Sequence, residues 1–224
     1  MAVREVTYTS IMIRILAAFF LGGIIGMERG MKNRPAGLRT YMLVCVGSCL
    51  IMLTNQYIYQ VFDTGDPVRM GAQVVSGIGF LGAGTIVVTK RNQIRGLTTA
   101  AGLWAAAAVG LAIGIGFYEA AVLGGCAIYA VLTVMHRWDD QMHRNSKIME
   151  IYVELSTSVT LGSFIRGTRE LGLEIDNLQL DHTEAAEDDI RSFIVTLKSR
   201  AKQNHQQLLD SIRAVDGVVY LEEL

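Results

Sequence analysis

The sequence predicts a membrane α-helical bundle of about five transmembrane helices, followed by a cytoplasmic α+β domain. Three observations carry this reading. Residues 73–108, QVVSGIGFLGAGTIVVTKRNQIRGLTTAAGLWAAAA, are two glycine-rich apolar stretches joined by the basic turn Lys90-Arg91-Asn92-Gln93-Ile94-Arg95. A soluble core of that length would not stay apolar on every face, whereas helices crossing lipid with closely packed backbones need this composition. Charge then divides the chain, with ten Lys or Arg against five Asp or Glu in residues 1–135, and ten against sixteen in residues 136–224. The net charge of −1 hides a basic half and an acidic half, so the total says little about partners. Beyond Lys147, helical runs give way to the alternation of strands. The expected organisation is a transmembrane domain over residues 1–136, a basic linker over 137–147 and an α+β domain over 148–224.

Five spans follow in order: residues 9–27, 38–59, 71–89, 97–115 and 117–135. Each is near the roughly 20 residues needed to cross a hydrocarbon core about 30 Å thick. The second leaves its pure apolar stretch at Leu53 and runs into Thr54-Asn55-Gln56-Tyr57, which suits an interfacial belt. The last two form a hairpin about Gly114, Ile115 and Gly116, which puts Glu119 near an interface. Arg29, Lys32, Arg34 and Arg39 flank the first turn, Lys90, Arg91 and Arg95 the third, and Arg137, Arg144 and Lys147 follow the last span. The connection 63–69 is net acidic. The positive-inside rule therefore places the N-terminus outside and the C-terminal domain in the cytoplasm. No persuasive cleavage site follows the first apolar run, so that span is expected to be retained.

In the tail, residues 148–155, 173–180, 190–197 and 218–221 read as strands, and 159–171 and 202–215 as helices. The order βαββαβ is a split β-α-β unit of ferredoxin-like topology. So small a domain has a modest core and edge strands to protect, and pairing with a second copy is expected.

Gly77, Gly79 and Gly82 spell G-x-G-x-x-G, but no strand precedes them and no acid follows at the distance a dinucleotide site requires. Ala72, Ser76, Gly79 and Ala83 instead form a small-residue stripe at helical spacing, and Gly77, Gly79, Gly82 and Gly84 are expected at helix contacts. No serine elbow, zinc-binding HExxH or Walker loop is present, so neither an enzyme nor a cofactor is expected, and nothing points to nucleic acid. Cys45 and Cys49 read as small buried residues on one helix face, with Cys126 on the fifth span, and no disulfide framework is implied. His136 and His143 lie just beyond the membrane, and Asp181 to Asp189 reads DHTEAAEDD, a solvated acidic hairpin without EF-hand ligand spacing. Arg14, inside the first span, is expected to snorkel to the outer headgroups.

The candidate polar cluster gathers at the cytoplasmic side: Glu28, Arg29, Arg39, Thr40, Arg95, Thr98, Thr99 and Trp104. Flanking charges fix topology and threonines cap helices in any multispan protein. Glu28 needs more explanation, because an acid does nothing for orientation. Beside several arginines it forms either a structural ion-pair cluster or an ion site, and no metal set is legible.

Four ordered blocks within residues 11–118 resemble the MgtC/SapB family: Gly26-Met27-Glu28-Arg29, Ala36-Gly37-Leu38-Arg39-Thr40, Gly77-Ile78-Gly79-Phe80-Leu81-Gly82-Ala83-Gly84 and Arg95-Gly96-Leu97-Thr98-Thr99-Ala100-Ala101-Gly102-Leu103-Trp104. The resemblance implies an ACT-like tail and a bacterial inner-membrane protein linked to growth at low magnesium and, in pathogens, to survival inside macrophages. It also implies one of several activities: magnesium transport, inhibition of the ATP synthase, or regulation of another membrane protein such as a transporter or sensor kinase. Gly30 and Thr98 depart from residues that many or some members carry there. Two readings follow, a regulator that binds partners in the bilayer and an ion carrier lined by Glu28 and the threonines. Convergence of Glu28, Arg39, Arg95 and Thr98 on a water-filled cavity favours the carrier, and a closed cluster favours the regulator.

Overall fold

A computed structural model describes residues 5–32, 34–66, 68–89, 93–135, 138, 146–180, 190–199 and 205–223. Lys90, Arg91 and Asn92, His136 and His143, most of the 137–147 linker and the acidic run from Asp181 to Asp189 lie outside the described residues. The chain divides into two compact units, Met1–His136 and Arg137–Leu224.

The first unit is helical. Helix α1 (Tyr8–Met31) starts from a capping box in which Thr7 accepts from the Ser10 amide and Ser10 accepts from the Thr7 amide. Helices α2 (Leu38–Phe62) and α3 (Arg69–Ala83) follow, then the short ladder of β1 (Val87–Val88) with β2 (Ile94–Arg95), then α4 (Leu97–Gly114) and α5 (Tyr118–Ala130). A π-helical turn over Val131–Met135 extends α5. Among the described residues four helices are long and apolar enough to cross a membrane: α1, α2, α4, and α5 with its extension.

The expected third span is corrected. The helix stops at Ala83 instead of continuing to Thr89, and at 1.5 Å per residue its 15 residues cover only about 22 Å. Gly84 and Thr85 turn the chain, Val87 and Val88 pair with Arg95 and Ile94, and Gly96 at φ 99° closes the hairpin where an L side chain would be strained. The β-branched run Ile86-Val87-Val88 prefers a ladder once the glycines release the helix. Polar contacts still fix the path. Arg29 near the end of α1 bonds Thr99 near the start of α4, and Arg14 near the start of α1 bonds the carbonyl of Gly114 at the end of α4. The chain therefore traverses this unit five times, with α3 as the short pass.

Packing rests on small residues, because lipid tails supply no hydrophobic drive between helices. The α1 stripe Arg14, Ala18, Gly22 and Gly26 recurs every four residues and is buried. A methyl group on Gly22 would sit 2.8 Å from the Cys45 Cβ, and one on Gly26 2.8 Å from the Tyr41 Cβ. From the other side, Gly102, Ala106, Gly110 and Gly114 turn one face of α4 onto α2. A methyl group on Gly110 would collide with the Cys45 carbonyl oxygen, and one on Gly114 would lie 2.6 Å from that of Cys49. Among the described residues no helix contact forms at Gly77 or Gly79, since a methyl group at either would meet nothing within 4 Å. Only Gly82 of that block packs on a neighbouring helix, against Ala100, while Gly84 serves the turn. The reason is rotational: Ile78 and Gly82 face α4, and the rest of the block turns away.

The second unit is an antiparallel sheet of β3 (Ile148–Ser156), β4 (Leu173–Leu180), β5 (Ile190–Ser199) and β6 (Val218–Glu223) in the order β4-β5-β3-β6. With α6 (Leu161–Glu170) and α7 (His205–Arg213) this is the split β-α-β topology that alternation predicts. Ile151, Val153 and Leu155 of β3 and Phe193, Val195 and Leu197 of β5 turn one face of the sheet to Phe164, Leu208 and Ile212 of the helices. Phe164 meets Phe193 edge to face at 5.3 Å between centroids. His205 opens α7 with both ring nitrogens engaged, Nδ1 2.6 Å from Glu223 Oε1 and Nε2 2.9 Å from the Ser146 carbonyl oxygen. Both partners are acceptors, so only the imidazolium satisfies both. Burial opposes charging, but the Ser146 carbonyl and the Glu223 carboxylate outweigh it and hold the His205 pKa above its ordinary 6.5.

Gly110→Ala should lower the thermal midpoint in detergent by the equivalent of about 1–3 kcal/mol from overpacking. Gly77→Ala should leave it unchanged or slightly raised, since an exposed helical glycine costs roughly 0.5–1 kcal/mol relative to alanine. Because His205 is raised in the folded state, its contribution is complete below the unfolded value and is lost as pH rises through the folded one. The second unit of the intact protein should thus melt at higher temperature near pH 6 than near pH 8.5, and His205→Ala should remove that part of the pH dependence.

Candidate functional site

The buried polar atoms of the first unit gather at two ends of α1. At its C-terminal end Glu28 and Arg29 are both buried although successive helical residues point about 100° apart, so this end is enclosed on two sides. Arg29 Nη2 donates to Thr99 Oγ1 of α4 at 3.1 Å. Lys32 Nζ lies 2.6 Å from Glu28 Oε1, an ion pair along one helical turn. Tyr41, fully buried in α2, places its hydroxyl against Gly102 and within electrostatic range of Arg29 and Glu28. With Lys32 on Glu28 Oε1, the buried side-chain atoms left without a hydrogen-bond partner among the described residues are Glu28 Oε2, Arg29 Nε and the Tyr41 hydroxyl. A carboxylate in the last turn of a helix opposes the macrodipole, so Glu28 is not there to stabilise α1.

Glu28, Arg29 and Thr99 therefore come together, and Tyr41 and Lys32 join them unforeseen. The other expected members do not. Trp104 is 51% exposed on the outer face of α4, because the opposite face carries the Gly102, Ala106, Gly110 contact with α2. Thr98 is exposed, one position from Thr99 and so rotated off the cluster. Arg95 lies in the hairpin, exposed, with its guanidinium 3.2 Å from Gln93 Oε1. Arg39 and Thr40 line a separate cleft of about 880 Å³ between α2 and α3 with Val44, Gly47, Gly77 and Ile78. Among the described residues no three His, Cys, Asp or Glu side chains come together as a metal ion would require.

The N-terminal end of α1 holds the second cluster and corrects the snorkelling expectation. Arg14 is fully buried. Its Nε donates to the Tyr118 hydroxyl at 3.1 Å, and its Nη1 to Gln56 Oε1 at 2.6 Å and to the Gly114 carbonyl at 2.7 Å. One guanidinium thus ties α1 to α2, the end of α4 and the start of α5. The carbonyls at a helix end lack intrahelical donors, and a cation there also suits the macrodipole. The signal in the sequence was an arginine in an apolar run; its partners, 42 to 104 residues away, were not legible.

Arg14→Lys separates the two possibilities. A snorkelling arginine tolerates lysine, whereas a forked clamp does not. The variant should melt lower in detergent by the equivalent of about 1–3 kcal/mol for each acceptor left unpaired. A midpoint equal to the parent's would refute the clamp.

A family model for the MgtC family matches residues 15–141. The chain is 32% identical over 211 residues to "Putative magnesium transporter YhiD" of Escherichia coli (strain K12), covering 92% of this chain and 94% of that protein. It is 28% identical over 222 residues to SapB of Bacillus subtilis (strain 168), with 93% of each covered. Against MgtC of Brucella abortus (strain 2308) identity rises to 45% over 119 residues, covering 52% of this chain and 48% of that protein. No solved structure gives a significant match. With the blocks about Glu28, Arg39, Gly79 and Thr99 inside the matched region, this chain is a membrane protein of the MgtC/SapB family.

Proposed function

We propose that this magnesium-related membrane protein acts as a regulator of other membrane proteins in the bacterial inner membrane, supporting adaptation to low magnesium and, in a pathogen, survival inside host cells. One observation carries the reading. The candidate polar groups do not line a shared cavity: Glu28, Arg29 and Thr99 are packed shut, while Arg39, Arg95 and Thr98 stand outside them. The stripe Ala72, Ser76, Gly79 and Ala83 on α3 is exposed and free of its own bundle, a face on which another transmembrane helix can pack closely. The partner is another membrane protein, such as a transporter, a sensor kinase or the ATP synthase, and the chain is not an enzyme. The βαββαβ tail is the ligand- or partner-sensing and pairing module, so the working form is a homodimer. The N-terminus lies outside and the tail in the cytoplasm, in keeping with Arg29, Lys32, Arg34 and Arg39 at one end of the bundle and Asp63 and Asp66 at the other.

A second reading, an ion carrier for magnesium or a monovalent cation, has its own support in Glu28 Oε2 and the Tyr41 hydroxyl, both buried without a hydrogen-bond partner. Lys32 and Arg29 beside them weigh against a cation.

Capture of the tagged full chain from native membranes should bring down another membrane protein, and Gly79→Leu should abolish that capture. Recovery of this protein alone would end the regulator reading. Purified protein in liposomes should show no flux of magnesium, potassium, sodium or protons; a flux lost in Glu28→Gln would establish the carrier.

A further inference from the structure

We propose that the cleft between α2 and α3 binds one anionic phospholipid of the surrounding bilayer, its phosphate on Arg39 and one acyl chain lying along the cleft. This inference is independent of whether the protein regulates or transports. The wall is apolar over most of its length, through Leu43, Val44, Ile51, Val74, Ile78 and Leu81. Its depth comes from Gly47 and Gly77, which lie on the two facing helices and at which an added methyl group would meet nothing within 4 Å. Nothing in the chain's own packing requires these two glycines. An occupant along the cleft does.

Size selects that occupant. From Arg39 to Ile51 the cleft follows α2 for twelve residue steps, about 18 Å at 1.5 Å per step. That is close to one leaflet, half of a core about 30 Å thick. The cleft's open volume of about 880 Å³ takes an extended hydrocarbon chain.

Charge selects the headgroup and its end. Arg39 is exposed in the first turn of α2, makes no ion pair among the described residues, and no acid lines the cleft. A cation at that position opposes the helix dipole unless an anion sits with it, and Gly37 leaves the first amides of α2 without a side-chain cap. Lys32 and Arg34 lie in the turn just before α2, so this end is basic. Arg69 marks the other end, but Asp63 and Asp66 precede it in the connection and disfavour a phosphate there. The phosphate therefore belongs on Arg39 with Thr40 beside it, and Arg69 lies near the far end of the chain's path.

The test is native mass spectrometry of the purified full chain released from micelles containing phosphatidylglycerol or phosphatidylcholine. The parent protein should retain one phosphatidylglycerol with about tenfold preference over phosphatidylcholine, the scale of a hydrogen bond to a charged group. Arg39→Gln should bring that preference to about one, with apolar retention remaining. Gly77→Leu should empty the cleft of both lipids, and Gly47→Leu provides the same test from the facing helix if the first variant fails to fold. Equal retention of both lipids by the parent, or loss of preference in Arg69→Gln instead of Arg39→Gln, would overturn the assignment. So would retained lipid in both leucine variants, or a shift from dimer to monomer in them without loss of lipid, which would make the occupant a second copy of the chain.

Discussion

Gly110 and Gly114 lie directly against the carbonyl oxygens of Cys45 and Cys49, and the helical unit is organised around that contact. Both pairs are spaced by four residues, so two ridges of backbone run alongside each other where no side chain fits between. In lipid, association gains little from hydrophobicity and depends on such close van der Waals approach. The same faces of α2 receive Gly22 and Gly26 of α1, which makes α2 the central helix of the unit. Cys45 and Cys49 are buried here as small residues, and their size is what the neighbouring glycines answer.

Polar ties then fix what close packing leaves free. Glycine stripes permit two helices to slide by one turn, because every fourth position looks alike. Arg14 on Gly114 at one end and Arg29 on Thr99 at the other admit a single register between α1 and α4. In a low-dielectric surrounding a wrong register leaves a charged group unpaired, and that cost far exceeds the difference between two apolar packings. The buried charges thus specify the arrangement. At the Glu28 end the network remains incompletely satisfied, unlike the Arg14 end, which is why the former is the candidate site and the latter a clamp.

The short third pass follows from the same economy. Once Gly84 ends α3 and the hairpin carries the chain to α4, α3 packs on α4 through Ile78 and Gly82 and stands apart from α2 along the cleft. It then exposes two faces, the cleft wall about Gly77 and the small stripe about Gly79. Of the glycine packing expected in this block, Gly82 meets a neighbouring helix of this unit, and Gly77 and Gly79 stand open. The stripes that do pack internally, at Gly22 and Gly26 and from Gly102 to Gly114, stood in the sequence at the same spacing. Nothing local distinguished an inward stripe from an outward one.

Four of the five passes, the βαββαβ order of the tail, the basic and acidic ends, and the family were determined by the sequence alone, because each depends on hydrophobic period, length, charge or an ordered set of motifs. The tertiary structure decided which polar residues meet. It brought Tyr41 beside Glu28 and Arg29, left Trp104 and Thr98 outside, and drew Arg14 inward instead of letting it snorkel. The physical reason is that a helix's local pattern fixes which residues share a face, while the rotation of that face toward a neighbour is set by contacts tens of residues away. Arg14 illustrates the limit: its charge and depth were legible, but Gln56, Gly114 and Tyr118, which accept from it, come from three elements that only the fold assembles.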